Sequence, residues 1–128
     1  MPSPSLRILC VEDDADICEL LTTTLAFSSF EAVCVSEVGA AHALMEKEKF
    51  CLYILDGQLP GASGLTLCQE IRAADKVTPI VIFSGHGKTS DRAAGLRAGA
   101  DVYILKPDMN EIVPTVKRLL KQEQVPAF

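Results

Sequence analysis

The chain has 128 residues, 48% of them hydrophobic, with a formal net charge of −5 and an isoelectric point near 4.9. That length suits one domain with a single core, spanning residues 1–128 with its packed part near 6–122. Lys and Arg are scattered, so the basic stripe that grips nucleic-acid phosphates is missing and no direct nucleic-acid contact is expected. The opening MPSPSLR carries no apolar targeting stretch, and no apolar run reaches the roughly 20 residues of a membrane span, so the expectation is a soluble, cytoplasmic domain without membrane contact.

In chain order, LRILCV (6–11) is a short apolar run of strand type. Behind it Ile17, Leu20, Leu21, Thr24 and Leu25 recur at helical spacing, with Asp13, Asp14 and Asp16 near the helix start, where carboxylates suit the dipole. The unit repeats: FEAVCV (30–35) precedes a helix near 38–48, and CLYIL (51–55) precedes one near 64–75. PIVIFS (79–84) leads to a helix near 89–98, and VYIL (102–105) to a last one near 110–122, where Pro114 predicts a late start or a bend. Five strands alternating with five helices predict an α/β fold: a parallel sheet with helices on both faces. The five cysteines, Cys10, Cys18, Cys34, Cys51 and Cys68, are odd in number and lack C-x-x-C spacing, so free thiols in apolar segments are expected rather than a metal or disulfide site.

In an open parallel sheet of this kind, ligands bind outside the carboxyl ends of the strands. Here four strands end in chemically pointed residues: the first in Glu12, Asp13 and Asp14, the third in Asp56, the fourth in Ser84 and Gly85, the fifth in Lys106 and Pro107. Converging carboxylates repel each other unless a cation joins them, and Mg²⁺ is a hard ion suited to a few protein oxygens. Capping of the first helix by Asp13 or Asp14 is the plainer reading of that segment. A carboxylate beside such an ion is a competent nucleophile for a phosphoryl group, and a lysine such as Lys106 can neutralise the transferred charge. Ser84 offers a hydroxyl to a phosphoryl oxygen, or serves only its own turn. Gly57, Gly61, Gly64, Gly85 and Gly87 let backbone approach the same pocket.

The segments ILCVEDD, LYILDGQLPGASGL, PIVIFSGHG and AGADVYILKP, in this order, resemble the receiver domain of two-component response regulators, over about residues 6–120. The resemblance implies a flavodoxin-like (βα)5 fold with strand order 2-1-3-4-5, and Asp56 as phospho-acceptor in a reaction dependent on Mg²⁺ or Mn²⁺. It further implies Asp13 as a direct metal ligand, Glu12 acting at the metal largely through water, and the backbone carbonyl of Gln58 as a further ligand. Ser84 and Lys106 would hold the phosphoryl oxygens, Lys106-Pro107 would be a cis peptide, and Tyr103 would be the aromatic switch, turning from solvent into space vacated when Ser84 moves. The implied partners are a histidine kinase or phosphotransfer protein, and an output domain or downstream protein on the fourth helix, fifth strand and fifth helix, with a homodimer on phosphorylation among the assemblies allowed.

Asp108 stands where the family commonly has a hydrophobic residue after Lys-Pro, and Gln58 and His86 flank the phosphoryl position, where they tune hydrolysis. Two other readings compete. A Mg²⁺-dependent phosphohydrolase with an aspartate nucleophile would want a second acid two residues on, where this chain has Gln58; a receiver-like module without phosphorylation would not need all five principal positions filled. The resemblance therefore implies a signalling domain rather than an enzyme acting on small substrates.

Overall fold

The computed structural model describes residues 7–59 and 61–121. Five parallel strands form the main sheet: β1 (Arg7–Val11), β2 (Glu31–Val35), β3 (Leu52–Asp56), β6 (Ile80–Ser84) and β7 (Val102–Leu105), in the order β2-β1-β3-β6-β7. A two-stranded hairpin, β4 (Gln58–Leu59) and β5 (Ala62–Ser63), follows β3 directly. The helices are α1 (Ala15–Ala26), α2 (Val38–Lys47), α3 (Gly64–Ala74), α4 (Thr89–Ala98) and α5 (Ile112–Leu119). In strand-position terms this is the predicted 2-1-3-4-5 order.

Alternating side chains of the strands build two cores. Ile8, Cys10, Ile54, Val81, Phe83 and Ile104 pack under Leu21 and Leu25 of α1 and Ile112 and Val116 of α5. Leu9, Val11, Leu55, Ile80 and Ile82 pack under α2, α3 and α4 through Ala41, Leu67, Ile71 and Ala98. Each fully buried aliphatic side chain of this kind stabilises the fold by roughly 1.5–3 kcal/mol. Covering both faces buries every residue of β3 and β6, including the polar ones at their ends, Asp56 and Ser84. The edge strand β2 stays half covered.

The Pro114 expectation holds. A single 3₁₀ turn, Met109–Glu111, precedes α5, which starts at Ile112 instead of near 110. Pro114 then falls in the first helical turn, where its missing N–H removes no intrahelical bond. The hairpin after Asp56 was not legible as strand, because two residues a side are too short for a period.

The expectation of five free thiols is corrected at two positions. Cys18 of α1 and Cys34 of β2 form a disulfide, with Cα atoms 5.9 Å apart and a sequence separation of 16. The β1-α1-β2 crossover lays α1 along β2, so the pairing arises from tertiary packing and leaves no local spacing to read. Cys10, Cys51 and Cys68 are free, and burial raises the Cys10 and Cys68 thiols to about 12 and about 11.

Candidate functional site

The strand ends converge as the alternation predicts. Asp56 closes the fully covered strand β3 and is 6% exposed, and Glu12, just past β1, is 2% exposed. The Lys106 ammonium, carried just beyond β7, lies 2.9 Å from Glu12 Oε1 and 3.2 Å from Asp56 Oδ1. Backbone N–H groups complete the arrangement: Asp14 donates to Glu12 Oε2 at 3.1 Å, and Gln58 donates to Asp56 Oδ1 at 3.1 Å. Burial pushes the Glu12 carboxyl up, outweighing the Lys106 and Asp14 hydrogen bonds that favour its charge. For Lys106 burial works against the charged form, yet contact with Glu12 and Asp56 outweighs it and the ammonium is held above its ordinary value.

Asp13 is exposed, but it contributes a carboxylate oxygen to a cluster with Glu12 and Asp56 whose oxygens all lie within 4.8 Å of one another. Asp14 does the capping instead: its Oδ1 accepts the Asp16 and Ile17 N–H groups. Helix capping thus falls to Asp14, while Asp13 joins the acidic cluster. The cluster lines a cavity of about 460 Å³ together with Gln58, Ser84, His86 and Lys106. Three carboxylates and one ammonium are a hard-oxygen set with surplus negative charge, which fits a hard divalent cation.

Backbone contacts explain the glycines that matter. A Cβ on Gly64 would lie 1.9 Å from the Asp56 carbonyl oxygen, and one on Gly57 would lie 2.6 Å from Ser84 Oγ. Only glycine lets the start of α3 close so tightly on β3, and the turn after Asp56 pass so close to Ser84 of β6. Gly87 packs against Leu105 instead, and Gly85 faces open space, so these two do not belong to the same contact.

Ser84 Oγ accepts the His86 N–H at 3.2 Å. Tyr103 departs from the expected starting position. Its ring is buried against Gly95 and Ile82, Arg92 lies 5.5 Å from the ring centroid, and its hydroxyl donates to the His86 carbonyl. The missing Cβ of Gly95 opens the slot for that ring, a signal that sequence reading passed over. A second cavity of about 350 Å³ lies between Ser84 and Tyr103, beneath α4. The Lys106-Pro107 peptide is cis, as the resemblance implies. The direct Lys106–Glu12 pair was not foreseen.

Fold and site define a class first: a doubly wound α/β domain with an acid-lined cavity at the carboxyl edge of its sheet. The family follows, since a model of the response regulator receiver domain matches residues 8–117, and the chain belongs to that family. The chain is 37% identical over 123 residues to the DNA-binding response regulator MtrA of Mycobacterium tuberculosis, covering 94% of this chain and 54% of that one. It thus spans about half the length of such curated relatives. A CheY-like receiver domain protein of Methanospirillum hungatei superposes with a TM-score of 0.85 at 28% identity, covering 93% of this chain and 96% of that one. A two-component response regulator of Clostridium difficile gives 0.85 at 27% identity, covering 93% and 98%. The protein is a response regulator receiver domain, a signalling module of two-component systems. No described helix is long and apolar enough to cross a membrane.

Proposed function

We propose that Asp56 accepts a phosphoryl group from a histidine kinase or phosphotransfer protein, in a reaction that needs Mg²⁺ or Mn²⁺ held at Asp13, Glu12, Asp56 and the Gln58 carbonyl. The observation that carries this reading is the position of Asp56: a nearly buried carboxylate at a cavity mouth, 3.2 Å from an ammonium and clustered with two further acids. An Asp56 oxygen attacks phosphorus, the bond from phosphorus to the donor nitrogen breaks, and an acyl phosphate forms on the side chain. Lys106 holds a phosphoryl oxygen in place of its present contact with Asp56, and the Ser84 hydroxyl donates to another. The ion, when bound, supplies charge neutralisation between the carboxylates and the incoming phosphoryl group.

Read-out follows the same elements. Ser84 and Tyr103 are the switch residues, with Tyr103 already seated beneath α4 and its hydroxyl on the loop that carries His86. Movement of Ser84 toward the phosphoryl group alters that loop, and the α4-β7-α5 face presents the change to an output domain, a downstream protein or a second copy. The whole chain acts as one receiver domain, 1–128, in the cytoplasm, without membrane or nucleic-acid contact of its own. Gln58 in the place of a second acid favours a phospho-accepting domain over a phosphohydrolase of small substrates.

Acetyl phosphate with Mg²⁺ should add one base-labile phosphoryl group to the wild-type chain, read by intact mass, and none to Asp56→Asn. Equal labelling of both would remove Asp56 from the mechanism.

A further inference from the structure

The disulfide between Cys18 and Cys34 closes a ring of bonds around the loop that carries the acidic cluster. On the β2 side, the Glu12 backbone N–H donates to the carbonyl of Val35, the neighbour of Cys34, at 2.9 Å. On the α1 side, the Asp14 N–H donates to the Glu12 carboxylate, and the Cys18 N–H donates to the Asp14 carbonyl at 2.9 Å. Glu12 is therefore tied to both ends of the disulfide, by one hydrogen bond in one direction and two in the other. No other pair of described cysteines is bonded.

We propose that Cys18 and Cys34 are a reversible thiol–disulfide modification site, oxidised by low-molecular-weight disulfides, whose state sets the rigidity of the Glu12–Asp14 loop. Both cysteines are half-buried rather than enclosed, so a small disulfide can reach them. Two cores, one on each sheet face, pack the domain alongside the bond. Selectivity comes from the other cysteines. Cys10 and Cys68 are buried out of reach of a small disulfide, and burial raises the Cys68 thiol to about 11, which denies it the thiolate that exchange requires. Burial also raises the Cys51 thiol, which faces the Arg7 carbonyl at 3.2 Å.

The chemistry balances. In the reduced protein the thiolate of one cysteine attacks a sulfur of oxidised glutathione, forming a mixed disulfide and releasing one glutathione thiolate. The second protein thiolate then displaces the other glutathione. The two protein thiols are oxidised to one S–S bond, the glutathione S–S bond is reduced to two thiols, and the two protons lost by the protein are taken up by the released thiolates. The internal bond forms in preference to a lasting adduct because the two Cα atoms are held 5.9 Å apart, within the ordinary span of a disulfide.

The redox step stands independently of phosphoryl transfer; only its bearing on metal binding rests on that reading, so the test uses no metal and no phosphodonor. Full-length protein is equilibrated at a series of oxidised-to-reduced glutathione ratios, quenched, alkylated and read by peptide mass. Cys18 and Cys34 should become protected together as an internal disulfide, while Cys10 and Cys68 remain thiols. Amide hydrogen exchange at Asp14 and Cys18 should be about tenfold slower in the oxidised form, because opening the loop must then strain a closed ring. In Cys34→Ser the exchange at Asp14 should no longer respond to glutathione. Independent protection of the two cysteines, or a glutathione adduct retained on one of them, overturns the proposal. So does equal exchange at Asp14 and Cys18 in the two redox states.

Discussion

The two edges of the sheet both carry ion pairs, and they use them in opposite ways. At the amino edge Arg7 pairs with Glu31 at 2.6 Å and Glu48 at 2.9 Å, and Arg72 pairs with Asp101 at 3.0 Å, the acidic side chains being 68%, 32% and 45% exposed. At the carboxyl edge Lys106 pairs with Glu12 and Asp56, whose side chains are 2% and 6% exposed. Exposed carboxylates keep their water and ask little of a partner, so such pairs contribute little individually. Buried ones have given up water and share a single ammonium, which leaves net negative charge in a low-dielectric cavity. Burial, rather than the presence of ion pairs, separates the edge that holds the fold from the edge that carries the acidic cluster.

Donor chemistry sharpens the contrast. The Arg72 guanidinium donates to the carbonyls of Gly99, Asp75 and Thr78 as well as to Asp101, joining the end of α3 to the ends of α4 and the strands beyond. Such a fork has a fixed geometry and suits a permanent joint. Lys106 is a point charge on a flexible stem, able to change partners without rebuilding the backbone.

The largest effect is expected from Gly64→Ala, because the added Cβ would meet the Asp56 carbonyl at 1.9 Å and force β3 and α3 apart. Urea unfolding should show a loss of about 3 kcal/mol or more. A loss under 1 kcal/mol would mean that the site edge is looser than its contacts imply. Arg72→Ala comes next, at about 2 kcal/mol, since it strips partners from several partly buried carbonyls. It should leave Mg²⁺ affinity unchanged, and a matching fall in that affinity would break the separation between edges.

Lys106→Ala should do the reverse. Removing the one ammonium from the acidic cavity should leave Mg²⁺ binding intact or tighten it about threefold to tenfold, while phosphorylation of Asp56 or its read-out falls. Calorimetric titration checks the first part and intact mass the second.

The smallest effect concerns acid stability at the amino edge. The Thr78 hydroxyl and the Thr78 and Val77 N–H groups hold the Asp75 carboxyl down at about 2. Its unfolded value is about 3.9, so its contribution is fully present above that pH and is lost as pH falls toward about 2. The urea midpoint of wild type should therefore fall more steeply between about pH 4 and pH 2 than that of Asp75→Asn. Parallel curves would show that this carboxylate adds nothing on folding.

Much of this was legible in the chain itself. Strand order and convergence at the carboxyl edge follow from the alternation and the family resemblance, and Pro114 marked the late start of α5 before any coordinates. What was not legible depends on contacts distant in sequence. The Cys18–Cys34 bond exists only because α1 lies along β2, and the Lys106–Glu12 contact needs β1 and β7 in place around β3. Asp13 and Asp14 are alike in sequence, and only the cap geometry assigns one to the helix and the other to the cavity. Tyr103 is an ordinary strand aromatic by pattern; its seat depends on Gly95, one helix away.

The contrast between the edges is tested most directly by an Mg²⁺ titration followed by backbone amide NMR. Saturable shifts should concentrate at residues 12–14, 56–58, 84–86 and 106, leave 7, 72 and 101 unmoved, and vanish in Asp13→Ala. Saturable shifts at the arginine edge, or none at the acidic cluster in wild type, would contradict the account.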